Sequence, residues 1–121
     1  VPRDGKAHVT AYGFDLDGTL DRPGIAQLAS DLFDAGHEVW VITGGLADAG
    51  EWTMQAREQK LASLGVRYTG IVRCIDPDVR RIGALKGEQC TRLGVVVMLD
   101  NDRPYLNGMA ATSDSARVWV L

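Results

Sequence analysis

The chain reads as an α/β protein, a parallel sheet held between two layers of helices, and three observations predict this. Apolar, β-branched runs alternate with segments of helical period, and strands that alternate with helices need crossover connections and therefore parallel pairing. Two of the runs, 38–42 and 95–99, are continuously apolar, the mark of buried strands. The residues able to do chemistry stand at strand ends: Asp15 after the first strand, Thr43 after the second and Asp100 after the fourth. Ligands of open α/β sheets bind along that edge.

Each element follows from its residues. Residues 8–14 are rich in β-branched and aromatic side chains and form the first expected strand. Ile25, Leu28, Ala29, Leu32 and Phe33 recur at i, i+3, i+4, i+7 and i+8, an amphipathic helix that Gly36 ends. Residues 38–42 are the second strand, with Gly44-Gly45 as its break. A second helix is expected from Asp48 or Ala49 to Leu64, closed by Gly65. Residues 66–75 read as strand three and Asp76-Pro77 as a turn. The following helix carries 85–93 and stops at Gly94; strand four is 95–99, a short helix covers 105–111, and 117–121 is the last strand. No repeat, low-complexity tract or linker interrupts the series, so the 121 residues are expected to form one domain.

Composition narrows the function classes. The chain is 45% hydrophobic and 24% charged, ordinary for a globular protein, and no run of about 18 apolar residues offers a membrane span. Its polar opening has no signal-peptide pattern; residues 1–7 read as a disordered leader, and the expected location is the cytoplasm. Cys74 and Cys90 form no C-x-x-C and have no histidine at zinc spacing, which predicts two buried free thiols. His8 and His37 read as structural. A net charge of −3 argues against non-specific nucleic-acid binding. Yet residues 57–92 hold eight basic side chains against four acidic ones, while Asp15, Asp17, Asp100 and Asp102 lie outside that segment. The segregation suits a metal site facing a basic rim.

The most informative stretch is Gly13-Phe14-Asp15-Leu16-Asp17-Gly18-Thr19-Leu20. Two carboxylates, two residues apart, stand where a buried strand becomes a turn. One can hold a divalent cation while the other performs covalent or acid/base chemistry. A calcium-type loop or a plain Asx turn would use the same residues, so the remaining strand ends decide between the readings.

Four segments taken in order resemble the haloacid dehalogenase superfamily of phosphotransferases. They are Asp15-Leu16-Asp17-Gly18-Thr19 after an apolar strand, Val41-Ile42-Thr43-Gly44, Lys86 near a helix start, and Met98-Leu99-Asp100-Asn101-Asp102. The resemblance implies a three-layer, Rossmann-like fold with strand order 5-4-1-2-3, and a Mg²⁺-dependent phosphatase. In it Asp15 would be the nucleophile that becomes an aspartyl phosphate, and Asp17 the acid/base. Thr43, Gly44 and Lys86 would bind the phosphoryl group, with Lys86 also tempering the charge on Asp15. The metal would be held through Asp15, the Asp17 carbonyl and Asp100, with Asp102 reaching it directly, through water, or by orienting a ligand. A carboxylate approaching a phosphate dianion is repelled, which is why such a site needs both a hard cation and a fixed ammonium.

Asp100-Asn101-Asp102-Arg103-Pro104 and Gly70-Ile71-Val72-Arg73 also resemble the phosphatase domain of polynucleotide kinases. That implies a nucleotide or a nucleic-acid 3′ end as the phosphorylated substrate, with Arg73, Arg80, Arg81 and Arg103 meeting further phosphates. Two features depart from the pattern: the fourth motif reads Asp-Asn-Asp, and Gly45 stands where many nucleic-acid-end phosphatases carry arginine. Only Asp21-Arg22-Pro23-Gly24 separates Leu20 from the first helix, and the residues between Thr43 and Lys86 are used by expected elements, so no cap domain is expected. The alternative is a degenerate member that binds metal or phosphate as a partner module. A receiver-like domain would place its paired acids before the phosphoacceptor strand, and here they lie at the first strand.

Overall fold

The computed structural model describes residues 8–102, 105, 108, 109 and 111, and the backbone of 117–120. The proposed leader, Arg103, Pro104, Leu121 and part of the short helix expected over 105–111 lie outside the described residues. The elements are β1 (Ala11–Phe14), α1 (Ile25–Asp34), β2 (Glu38–Gly45), α2 (Met54–Leu64), β3 (Gly70–Ile75), α3 (Val79–Leu93), β4 (Val95–Asp100) and β5 (Arg117–Val120).

β1 pairs in parallel with β2 on one side and β4 on the other, and β2 pairs in parallel with β3. The order 3-2-1-4 expected for these strands is therefore the observed one, and β5 extends the sheet beside β4. Alternation along β2 explains the layers. Val39 and Val41 point into a cluster with Phe14, Leu16, Leu20, Ala29 and Leu61, which α1 and α2 cover. Ile42 points the other way, to Cys74, Ile82, Cys90, Val95 and Met98, under α3. Cys74 and Cys90 are buried free thiols, each pushed up to about 11 chiefly by burial. His37 is structural, its Nδ1 accepting from Thr10 N at 3.1 Å.

Five boundaries differ from the sequence reading, the first being β1, which begins at Ala11 and not at residue 8. β2 continues through Thr43, Gly44 and Gly45, each paired with a residue of β3, so the double glycine ends the strand rather than breaking it. β3 begins at Gly70, four residues later than expected, after a coil in which Thr69 Oγ1 accepts from Val39 N. α2 starts at Met54, not near Asp48, because Thr53 is its N-cap and accepts from Ala56 N at 3.2 Å; Gly50–Trp52 form a separate short turn before it. α3 starts at Val79, where the Asp78 side chain accepts from Arg80 N at 3.0 Å. Lys86 therefore lies in the middle of a 15-residue helix instead of at its start. Helix period carries it to the sheet-facing side with Ile82, Gly83 and Cys90, all buried.

Candidate active site

β1 and β4 lie side by side and end at Asp15 and Asp100, both buried. Between them rises Lys86, fully buried, whose Nζ donates to Asp15 Oδ1 at 3.0 Å and to Asp100 Oδ2 at 2.7 Å. The Tyr105 ring lies 4.4 Å from the same ammonium. Two carboxylates thus share one buried cation. Burial raises Asp15 to about 7; Lys86 opposes that shift and the charge of Asp100 reinforces it. Burial would lower Lys86, but the charges of Asp15 and Asp100 outweigh it and the ammonium is held.

Asp17 lies in the turn after β1 and meets the opposite environment. Arg57 Nη1 donates to its Oδ2 at 2.7 Å, and Lys60 donates to its Oδ1 and also to Asp21. Burial alone would raise Asp17, yet the hydrogen bonds from Lys60 and Arg57 prevail and hold it below the usual carboxylate range. Arg57 is 2% exposed, and its Nε has no hydrogen-bond partner among the described residues. The sequence reading missed Arg57 and Lys60. Their signal was three-residue spacing on one face of α2, which gains meaning only once that face is set against the Asp15–Asp17 turn.

The fourth motif lies against the first. Asp100 Oδ2 accepts from Lys86, and its Oδ1 accepts from Asp102 N at 2.9 Å. Asn101 is the second residue that the sequence reading missed. One end of its amide lies 2.9 Å from the Asp17 carbonyl oxygen and 3.1 Å from Asp15 Oδ2. With NH₂ at that end, the amide donates to both. With oxygen there, it accepts from Thr19 Oγ1 at 3.4 Å but meets two further acceptors, so NH₂ at that end is the orientation that satisfies the amide. The Asp15 carboxylate and the Asp17 carbonyl are hard oxygen donors of the kind Mg²⁺ takes. Among the described residues no three His, Cys, Asp or Glu side chains gather as a metal cage. The groups that converge there are one carboxylate, one main-chain carbonyl and one amide. Gly18 makes room for it, since at φ +77° it is left-handed and a Cβ there would lie 2.2 Å from Asn101 Nδ2.

These groups open into a cleft of about 280 Å³ lined by Asp15, Asp17, Gly18, Gly44, Trp52, Asn101, Asp102 and Tyr105. Gly44 lines it, whereas Thr43 is 2% exposed at the end of β2 and Lys86 lies beneath the floor. Asp102 is raised by burial and by the charge of Asp100. The basic rim does not stand free. Arg73 pairs with Asp48 at 2.5 Å, Arg80 with Asp78 at 3.4 Å and Arg81 with Asp76 at 3.0 Å.

No family model matches the chain, and no curated protein matches it. Among solved structures it is similar to the D,D-heptose 1,7-bisphosphate phosphatase of B. bronchiseptica, crystallised with magnesium and phosphate. The two are 17% identical, with a TM-score of 0.68, and the match covers 93% of this chain and 80% of that one. At that identity the likeness is one of fold: the chain shares a Rossmann-like α/β core, with parallel strands in the order 3-2-1-4 and β5 beside β4.

Proposed function

We propose that the protein is a Mg²⁺-dependent phosphomonoester hydrolase that works through an aspartyl phosphate on Asp15. The observation that carries this reading is the division of the Asp15 carboxylate: Oδ1 on the Lys86 ammonium, Oδ2 beside the Asn101 amide that also meets the Asp17 carbonyl. Such a group is fixed in orientation and partly neutralised, while its own charge is disfavoured by burial. Those are the needs of a carboxylate that must approach a phosphate dianion.

Asp15, the Asp17 carbonyl and Asp100 would hold the metal, with Lys86 bridging the two carboxylates and the Asn101 amide beside Asp15 and Asp17. The cation would supply charge neutralisation for the phosphoryl oxygens and orient them. Asp15 attacks phosphorus, and the bond to the ester oxygen breaks. Asp17 delivers the proton to the leaving oxygen and later takes one from the water that cleaves the aspartyl phosphate. Lys86 lowers the charge on Asp15 from below, and Thr43 and Gly44 border the phosphoryl site from β2. The connections Asp21–Gly24 and Asp76–Asp78 are too short to carry a cap, which supports a capless site open to its substrate. The narrower reading, a nucleotide or nucleic-acid 3′ end, rests on the Asp100–Pro104 and Gly70–Arg73 segments.

One observation favours the alternative, a binding module without turnover: Arg57 and Lys60 hold Asp17 ionised, whereas a proton donor must carry a proton. The deciding experiment is turnover of p-nitrophenyl phosphate with EDTA and with added Mg²⁺, together with the intact mass of Asp17→Asn after mixing with acetyl phosphate. Mg²⁺-dependent turnover and a gain of one phosphoryl group in the variant are expected. Absence of both would leave the binding module.

A further inference from the structure

The cleft has a wall that phosphoryl transfer leaves unused. Trp52 lines it, half-buried, on the turn between β2 and α2. Its seat is built into the fold. Gly45 ends β2 against the indole, and a Cβ there would lie 2.7 Å from Trp52 Cγ and 2.9 Å from Cδ1. Trp52 N–H donates to the Ala49 carbonyl at 3.2 Å, and its own carbonyl accepts from Arg73 Nη1 at 3.1 Å. The next residue, Thr53, caps α2. Trp52 is thus a pre-positioned aromatic surface, the kind that gives contact area at little entropic cost.

The charges limit what can lie on that surface. Arg57, Lys60, Arg73, Arg80, Arg81 and Lys86 are each paired with an aspartate. To engage these six cations, a ligand with several phosphates would have to compete with their aspartates. Asp102 borders the same cleft, and its carboxylate takes no hydrogen bond from another described residue. Beyond one phosphoryl group, the cleft therefore offers an aromatic face and a hydrogen-bond acceptor. A flat heterocycle on a sugar bearing hydroxyl donors matches both. At about 280 Å³ the cleft stands at the small end of ligand sites, which suits one nucleotide and not a strand.

We propose that the substrate is a single nucleoside monophosphate whose base stacks on Trp52 and whose ribose hydroxyl donates to Asp102. This rests on the phosphomonoesterase reading of Asp15 and narrows its substrate class. Specificity would come from the base face, with Trp52 the determining residue.

The test compares kcat/KM for adenosine monophosphates, ribose phosphate and a 3′-phosphorylated tetranucleotide in wild type, Trp52→Ala and Trp52→Phe. Wild type should favour the mononucleotide over ribose phosphate by roughly tenfold or more, the scale of base–aromatic stacking. Trp52→Ala should bring that ratio near one, and Trp52→Phe should keep most of it, which also serves should the alanine variant fail to fold. A ratio unchanged in Trp52→Ala overturns the proposal. Preference for the tetranucleotide with steep salt dependence overturns the restriction to one nucleotide. If wild type hydrolyses none of these, the reading of Asp15 fails, and stacking is measured separately by tryptophan-fluorescence quenching of Asp15→Asn with adenosine monophosphate. Quenching that disappears in Asp15→Asn/Trp52→Phe supports the platform; no quenching in Asp15→Asn overturns it.

Discussion

Asp15 and Asp17 are two residues apart, yet the fold pushes them in opposite directions. Asp15 is 6% exposed, shares one lysine with Asp100, and is raised to about 7. The Asp17 side chain is 45% exposed, has Arg57 and Lys60 to itself and Asp21, and is held below the usual range. Both pairs of acids lie beside lysine, so lysine is not the difference. Burial and charge count are: two acids per cation in the dry cluster, two acids per two cations in the wetter one. Neighbouring carboxylates in such contrasting settings are given opposite protonation tendencies within one turn, the arrangement that a division of acid and base roles requires.

The largest expected effect breaks the dry cluster at its acid. Asp15→Asn should lower phosphatase turnover by at least about a thousandfold, as loss of a nucleophile does. It should also stabilise the metal-free protein at high pH. Because burial raises Asp15, the folded form binds more protons than the unfolded chain between pH about 4 and 7, and stability falls as pH rises through that window. Thermal unfolding of the two proteins should therefore diverge above pH 7 and converge near pH 4. Equal melting temperatures at pH 8 would mean that the cluster is not under-neutralised.

Next in size is the cation of that cluster. Lys86→Met leaves two buried carboxylates with no ammonium, a loss of about 3–5 kcal/mol by the usual cost of breaking a buried ion pair. Lys86→Met/Asp100→Asn should recover part of it in denaturant titrations. A double variant no more stable than the single one would show that Asp100 does not share the charge deficit.

The smallest effect lies in the wetter cluster. Arg57→Gln should cost about 1–2 kcal/mol, less than a fully dry pair because Asp17 remains half-exposed. Asp17 would then relax upward toward its ordinary value, so the limb of the pH–rate profile that reports it, alkaline for proton donation and acidic for activation of water, should move to higher pH. An unmoved limb, with the fold intact, would separate Asp17 from the proton transfers.

Much of this was legible in one dimension. Apolar runs and helical period determined the α/β class. Polar residues at strand ends located the edge that carries the site, because a parallel sheet brings the carboxyl ends of its strands together whatever the loops do. Gly36, Gly65 and Gly94 marked helix ends because only a residue without Cβ enters the left-handed region cheaply. What the chain could not announce was any property that depends on a neighbour distant in sequence. Arg57 and Asp17 are forty positions apart, and Lys86 and Asp15 seventy-one. Whether a carboxylate is raised or lowered depends on which cation reaches it and how much water is removed, and packing decides both. The same holds for Asn101 and Asp100. The pitch of α3 delivers Lys86 to Asp100, and the turn after β4 sets the Asn101 amide against Asp15 and Asp17. Residue type and spacing determined which groups the protein could use; tertiary packing alone decided which of them meet, because charge and burial act through space.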